Sequence, residues 1–351
     1  MNPLIFKIAH VIVPPIGKVL CSPVGYGDVA YVESNNKIST IESVEFANAF
    51  LGGDAPVAEL VQRIEASDPF RGLWLGEGLG LHFGLRTLKQ NEHPKNLFTV
   101  GEGEAIPQHL LLMAHAGMAL GFARHHLDAI GKKPSPGAVY EATRKTAELI
   151  QDNGISGFSG ISYEAWGMVT TFFYRKLLAT VLESMEKIDP ARVPFLWHGV
   201  GRACYFLNFM PRWKDPWPAF LLMEEMGTEP VRRANLFAGL AAAMVMVNMK
   251  TPQVLESVLR ERIARLSSTD QASYAQGIAC SMVMREDTTP GDQTCRKLVA
   301  HVPPPDVAEL WKSVIATPGS LALETIRPLL RGRQQLDKIT RFCPLDEVLA
   351  G

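Results

Sequence analysis

Two residues able to exchange a proton stand at matching places in this chain. Glu77 lies in WLGEGLG and His198 in LWHGVG, each directly before a Gly or Gly-x-Gly step. A carboxyl group and an imidazole brought to one interface would form an acid/base couple. The same two groups could instead be exposed, capped, or held in structural ion pairs with Arg71 or Arg202. Asp152 and Glu164 flank a third stretch, DNGISGFSGISYEAW, whose Gly154, Gly157 and Gly160 can bring backbone close to a ligand. Asp152 is a proton-donor candidate there, with an Asx turn or helix cap as its structural alternative. Arg124 and Arg202 each follow a ridge of small residues. Either could hold an anionic group through two parallel hydrogen bonds, or a carboxylate of the protein itself.

Aromatic residues concentrate in two segments that include Trp166, Phe172, Phe173, Trp197, Tyr205 and Phe206. Trp166, Trp197, Tyr205 and Phe206 are the substrate-contacting candidates, since π faces stabilise developing positive charge. Packing of an ordinary core is the competing use of such residues.

Other chemistries lack their motifs. The nine histidines form no HExxH pattern, and the adjacent His125 and His126 point apart on a helix, so no metal site is expected. The five cysteines are scattered without a CxxC pair, which argues against a disulfide framework and for a reducing cytoplasm. No GxSxG, P-loop or kinase signature occurs, and the GxG steps lie in helical rather than βαβ surroundings. No cofactor is therefore expected. With 35 basic and 36 acidic residues the chain has no bulk charge for nucleic acid.

The elements that must position these residues are helical. Val57, Leu60, Val61 and Ile64 make one stripe, and Val44, Ala47 and Leu51 another, with Gly52 and Gly53 closing that helix. Residues 22–40 read as loop or short extended structure. Gly72, Gly76, Gly80 and Gly84 recur every fourth residue and draw a small-residue ridge on one helix. Each costs about 0.5–1 kcal/mol relative to Ala, so the ridge implies close approach of a backbone or a ligand. Ala114, Gly117 and Gly121 repeat the device, as do Ala238, Ala241 and Ala242. DPFRGLWLGEGLG at 68–80 aligns with DPARVPFLWHGVG at 189–201, HAGMAL at 115–120 with FAGLAA at 237–242, and SGIS at 159–162 with QGIA at 276–279. This order suggests an internal duplication of about 120 residues.

The expected fold is all-α, built of tandem helical hairpins with TPR/HEAT-like or α/α-type packing. Its parts are an N-terminal strap (1–40), two helical halves (41–175 and 176–300) and a C-terminal helical cap (301–351). The cap begins at HVPPPD and continues in helices around 306–316 and 320–332. The apolar start of the chain is too interrupted for a membrane span. Residues 1–21 suit a packed strap or a peripheral contact with a membrane surface or partner.

Several of these motifs together resemble a known family. FANAFLGG (46–53), GEGLGLHFGL (76–85), HAGMALGFAR (115–124), DNGISGFSG (152–160), GVGRACYF (199–206) and LFAGLAAA (236–243) follow one another in this order. The set is similar to a bacterial family of unknown function encoded beside enediyne polyketide synthases, the UnbL type, over roughly residues 40–290. The chain departs from that pattern at Ser159, where the family has a His, and in GRACYF, where Arg202 is kept and a Trp is replaced. The resemblance implies a place in specialised-metabolite biosynthesis and carries over no catalytic residue.

Two functions follow as expectations. One is a cytoplasmic, cofactor-independent enzyme that isomerises or cyclises a hydrophobic polyene or isoprenoid-like substrate by acid/base chemistry, with Glu77, His198, Asp152 or Glu164 supplying the proton. The other is a non-catalytic helical-repeat carrier or scaffold partner of a biosynthetic synthase.

Overall fold

Every regular element among the described residues is helical. The structure is a computed structural model that describes residues 27–47, 51, 55–207 and 217–350. The 1–21 segment, with its proposed surface role, lies outside them.

Over residues 27–40, helix α1 (Gly27–Glu45) stands where loop or short extended structure was expected; residues 22–26 lie outside the described residues. Its buried residues Glu33, Ser34, Lys37, Thr40 and Ser43 are polar, so no apolar 3.6-residue period marks it in the sequence. Glu33 and Lys37 pair at 3.1 Å one turn apart, and the Lys37 ammonium lies 4.1 Å above the Tyr205 ring. Helix α2 (Val57–Glu65) buries the four residues of its predicted stripe. Asp68 caps α3 (Pro69–Gln90) by accepting from the Phe70 N–H, and Pro69 fits the first turn.

The chain continues through α4 (Leu111–Ala129), α5 (Pro136–Asn153), α6 (Ser159–Phe173), α7 (Leu178–Ile188), α8 (Val193–Leu207) and α9 (Pro218–Met226). Then follow α10 (Pro230–Asn248), α11 (Pro252–Glu261), α12 (Ser268–Thr288) and α13 (Thr294–Val299). Residues 308–332 are helical throughout, where two separate helices were expected. Two π turns, Lys312–Ala316 and Ala322–Ile326, make this continuity possible. Each contains the carbonyl four residues before a proline (Pro318, Pro328), which has no N–H to bond it.

Six helices, α3, α4, α6, α8, α10 and α12, pack in that order, each on the next. The array closes rather than extending as an open stack, because α12 returns against α3 and α4. Arg285 of α12 donates to the Phe70 and Pro69 carbonyls at 2.7 and 3.3 Å across that closure. Helix α10 is buried on all sides from Ala234 to Asn248, as a helix inside such an array must be. Helix α1 lies over α3, α10 and α11.

The small residues are where these helices touch. A Cβ on Gly117 would overlap the Glu77 carbonyl oxygen, and one on Gly80 the Ala114 carbonyl oxygen, so α3 and α4 meet backbone to backbone. The same reciprocal contact joins α6 to α8, through Gly199 on Glu164 and Gly167 on Leu196. It joins α8 to α10 through Gly239 on His198 and Gly201 on Leu236. The α3/α4 and α8/α10 crossings coincide with the two strongest internal sequence matches. The α6/α8 crossing does not stand at that spacing. The pattern therefore marks a recurring way for helices to cross and does not by itself establish a duplicated 120-residue unit. Helix α6, before residue 175, also packs directly on α8 after it, so one core runs through both proposed halves.

Candidate functional site

Three of the six residues whose carbonyls face those glycines, Glu77, Glu164 and His198, also send their side chains to one centre. Each sits three positions before a glycine (Gly80, Gly167, Gly201) on an otherwise apolar helix face. Close crossing leaves little room beside the backbone and directs the three side chains into the centre of the array. There Arg202 joins them. Its Nη2 donates to both Glu77 oxygens at 2.7 and 2.8 Å, and its Nη1 donates to Glu164 Oε2 at 2.8 Å. His198 Nδ1 lies 3.4 Å from Glu164 Oε1. Glu77, Glu164 and His198 are at most 1 % exposed and Arg202 is 5 % exposed.

Two carboxyl groups thus face one guanidinium in a dry interior, where an uncompensated charge is costly. The two carboxyl groups answer it differently. Burial pushes Glu77 above the usual carboxylate range, with repulsion from Glu164 adding to it, and Arg202 does not fully offset this. Burial also acts to raise Glu164, but Arg202 and His198 outweigh it and hold this carboxyl low. Arg202 stays firmly protonated, because the two glutamates outweigh the cost of its burial. Glu77 is thus the member of the pair that carries a proton most readily.

Glu77 and Arg202 also form the floor of a cleft. Its walls are Ile41 and Val44 of α1, Trp74 of α3, Leu120 of α4, Met168, Val169, Phe172 and Phe173 of α6, and Phe206 of α8. Thr40 and Glu45 add polar atoms on the α1 side. The hollow is about 50 Å³, room for a few waters. The Trp74 Nε1–H is buried and meets no hydrogen-bond partner among the described residues. At the mouth, Arg124 Nη1 donates to both oxygens of Glu45, at 3.0 and 2.9 Å, and the guanidinium lies 4.9 Å from the Phe173 ring centre.

The structure therefore brings together Glu77, Glu164, His198 and Arg202, with Phe206 in the cleft wall and Arg124 at its mouth. Glu77 and His198 do not form a direct couple, because Glu164 and Arg202 stand between them. The Arg202 ion pair weighed above as the structural alternative for Glu77 is present.

The other candidates lie elsewhere. Asp152 pairs at 3.2 Å with exposed Lys95 at the end of α5, on the surface. Trp166 is buried in the core beside Tyr163, and Trp197 packs on the outside under Arg232 at 4.5 Å. The Tyr205 hydroxyl accepts from Asn248 Nδ2 at 2.7 Å, under α1. Two glycines of the third motif, Gly157 and Gly160, meet the C-terminal region. Gly157, at φ +85°, abuts the Gln334 carbonyl, and the Gly160 N–H donates to Asp337 at 2.8 Å.

Sequence reasoning did not single out Trp74, Leu120 or Glu45 for the site. The spacing shared by Glu77, Glu164 and His198, a polar residue three before a glycine in an apolar helix, was the usable signal for their meeting. Among the described residues no group of three metal-binding side chains occurs, and no helix is long and apolar enough to cross a membrane. Cys204, Cys280 and Cys295 are buried free thiols, and burial pushes Cys204 up to about 12. No family model, curated protein or solved structure matches this chain.

Proposed function

We propose that the protein binds a hydrophobic, polyene- or isoprenoid-like molecule in the α1–α6 cleft and catalyses its isomerisation or cyclisation by proton transfer. The observation that carries this reading is Glu77, a carboxyl group raised by burial, at the floor of an aromatic and aliphatic cleft. A neutral acid beside an apolar chain can protonate a double bond, and the aromatic faces of Phe172 and Phe206 stabilise the cation that results. Arg202, itself anchored by Glu164, holds Glu77 in place, and Glu164 with His198 offers a route for returning the proton. Small-molecule sites enclose about 300–1,000 Å³, so the 50 Å³ hollow is the closed form and the α1 wall moves to admit a ligand. The resemblance to the enediyne-associated family supports a role for this chemistry in specialised metabolism.

Full engagement of both Glu77 oxygens by Arg202 favours a second reading, a carrier that delivers the same ligand to a synthase without reacting with it. One experiment separates the two. Apolar molecules extracted from the natively purified protein are returned to it in D2O and analysed by mass spectrometry. Catalysis gives deuterium uptake that Glu77→Gln abolishes. A carrier retains the molecule without uptake. If no apolar molecule copurifies and Nile red does not bind in the cleft, both readings fall.

A further inference from the structure

The Glu45–Arg124 pair at the cleft mouth says what kind of head group such a ligand carries. Arg124 presents Nη1 to Glu45, while its Nε and Nη2 make no hydrogen bond among the described residues. Its planar face rests on Phe173, which is 48 % exposed and lines the cleft. The guanidinium is thus held flat at the opening, with donors to spare.

Glu45 lines the same cleft and belongs to α1, the wall that must move. The side chains of the pair are 28 % and 22 % exposed, and ion pairs this open contribute little to stability. Arg124 can therefore exchange one carboxylate for another at small cost. The nearby Asp128 is itself engaged by the Tyr174 hydroxyl at 2.6 Å. At the opposite end, Arg202 Nη1 and Nη2 are already taken by Glu164 and Glu77, so the guanidinium with a free edge is Arg124 at the mouth.

We infer that the cleft takes a long-chain carboxylate whose head group displaces Glu45 from Arg124, Glu45 being the internal placeholder that keeps α1 closed over the empty cleft. This rests on the reading that the cleft binds an apolar ligand. The carboxylate lies on the guanidinium at the mouth, and its chain runs between Ile41, Val44, Phe172 and Phe206 toward Glu77.

Dodecanoate and dodecanol, which differ only in the head, test the inference by displacement of Nile red from the full-length protein. The wild type is expected to prefer dodecanoate by about tenfold, the range of one charge-assisted bond. Arg124→Gln should abolish that preference, so that the two probes bind alike. Glu45→Gln should tighten dodecanoate several-fold, because an internal competitor is gone. Circular dichroism of both variants checks that the fold is intact. Equal binding of the two probes, or a preference that survives Arg124→Gln, overturns the carboxylate inference while the apolar cleft stands. Failure of both probes to bind overturns the cleft reading itself.

Discussion

Arg202 and Arg285 are both guanidinium groups sealed inside the same array, and their surroundings could hardly differ more. Arg202 has two carboxylates within 2.8 Å and is held protonated by them. Among the described residues Arg285 has no carboxylate partner. It donates to two backbone carbonyls and lies 4.4 Å from the Phe70 ring centre and 6.0 Å from that of Trp74. Its Nε and Nη2 are buried without partners among the described residues, and burial draws its pKa down to about 10. Equal burial thus has unequal electrostatic consequences. At Arg202 the interior is organised around charge. At Arg285 a charge is tolerated by dipoles and π faces, where an apolar stem already covers much of the contact.

The comparison breaks most visibly at Arg202. Replacement by Met leaves two carboxylates without their cation and should cost about 3–5 kcal/mol in urea unfolding at neutral pH. A loss below about 1 kcal/mol would mean that the network is not held together by charge.

A third buried base sharpens the contrast by avoiding charge altogether. His115 donates from Nδ1 to the Leu111 carbonyl at 2.7 Å and accepts at Nε2 from the Ile155 N–H at 3.1 Å, between the rings of Phe98 and Phe158. Burial lowers its pKa from 6.5 to about 4. A base lowered in the folded state binds fewer protons there than when unfolded. Its contribution is therefore present above pH 6.5 and lost on acidification toward pH 4, up to about 3 kcal/mol. NMR titration of the His115 ring should show no protonation near pH 6.5, and a midpoint there would contradict the neutral arrangement.

Within the network itself, Glu164→Gln should cost about 1–3 kcal/mol, because this ionised group serves both Arg202 and His198. Glu77→Gln should cost less than that, since Glu77 already carries a proton readily. Paired denaturation curves check the order, and its reversal would reassign the proton to Glu164. The smallest effect is expected at Arg285. Arg285→Met keeps the stem, removes a poorly solvated charge and should change stability by no more than about 1 kcal/mol either way. A large loss in calorimetry would show that the two carbonyl bonds at the closure of the array matter more than the charge.

How much of this was legible in the sequence depends on whether a feature is local. The stripe of α2 and the glycine ridges are properties of neighbouring residues, and they appear as read. The matching places of Glu77 and His198 also foretold that both approach one centre. Arg202 was one of two cations weighed as their partner, but the carboxylate of Glu164 on the same guanidinium and the pairing of Arg124 with Glu45, 79 residues away, were not legible. A sequence shows that donors and acceptors exist, while tertiary packing decides which of them meet. Helix α1 was missed for a different reason. Its core-facing side is polar, satisfied by ion pairing and by the Tyr205 ring, so the periodicity that reveals other helices is absent. The missing wall hid the cleft with it.

The glycines at the crossings have a consequence for how this protein can change over generations. Gly117, Gly199 and Gly239 have no side chain and touch no charge, yet each fits against the carbonyl of a network residue. One added methyl group at any of them would force two helices apart and shift Glu77, Glu164 or His198 relative to Arg202. A lineage drifting under selection for folding alone would be held at these three positions as tightly as at the acids themselves. Heredity would then guard the charge centre through residues that take no part in it.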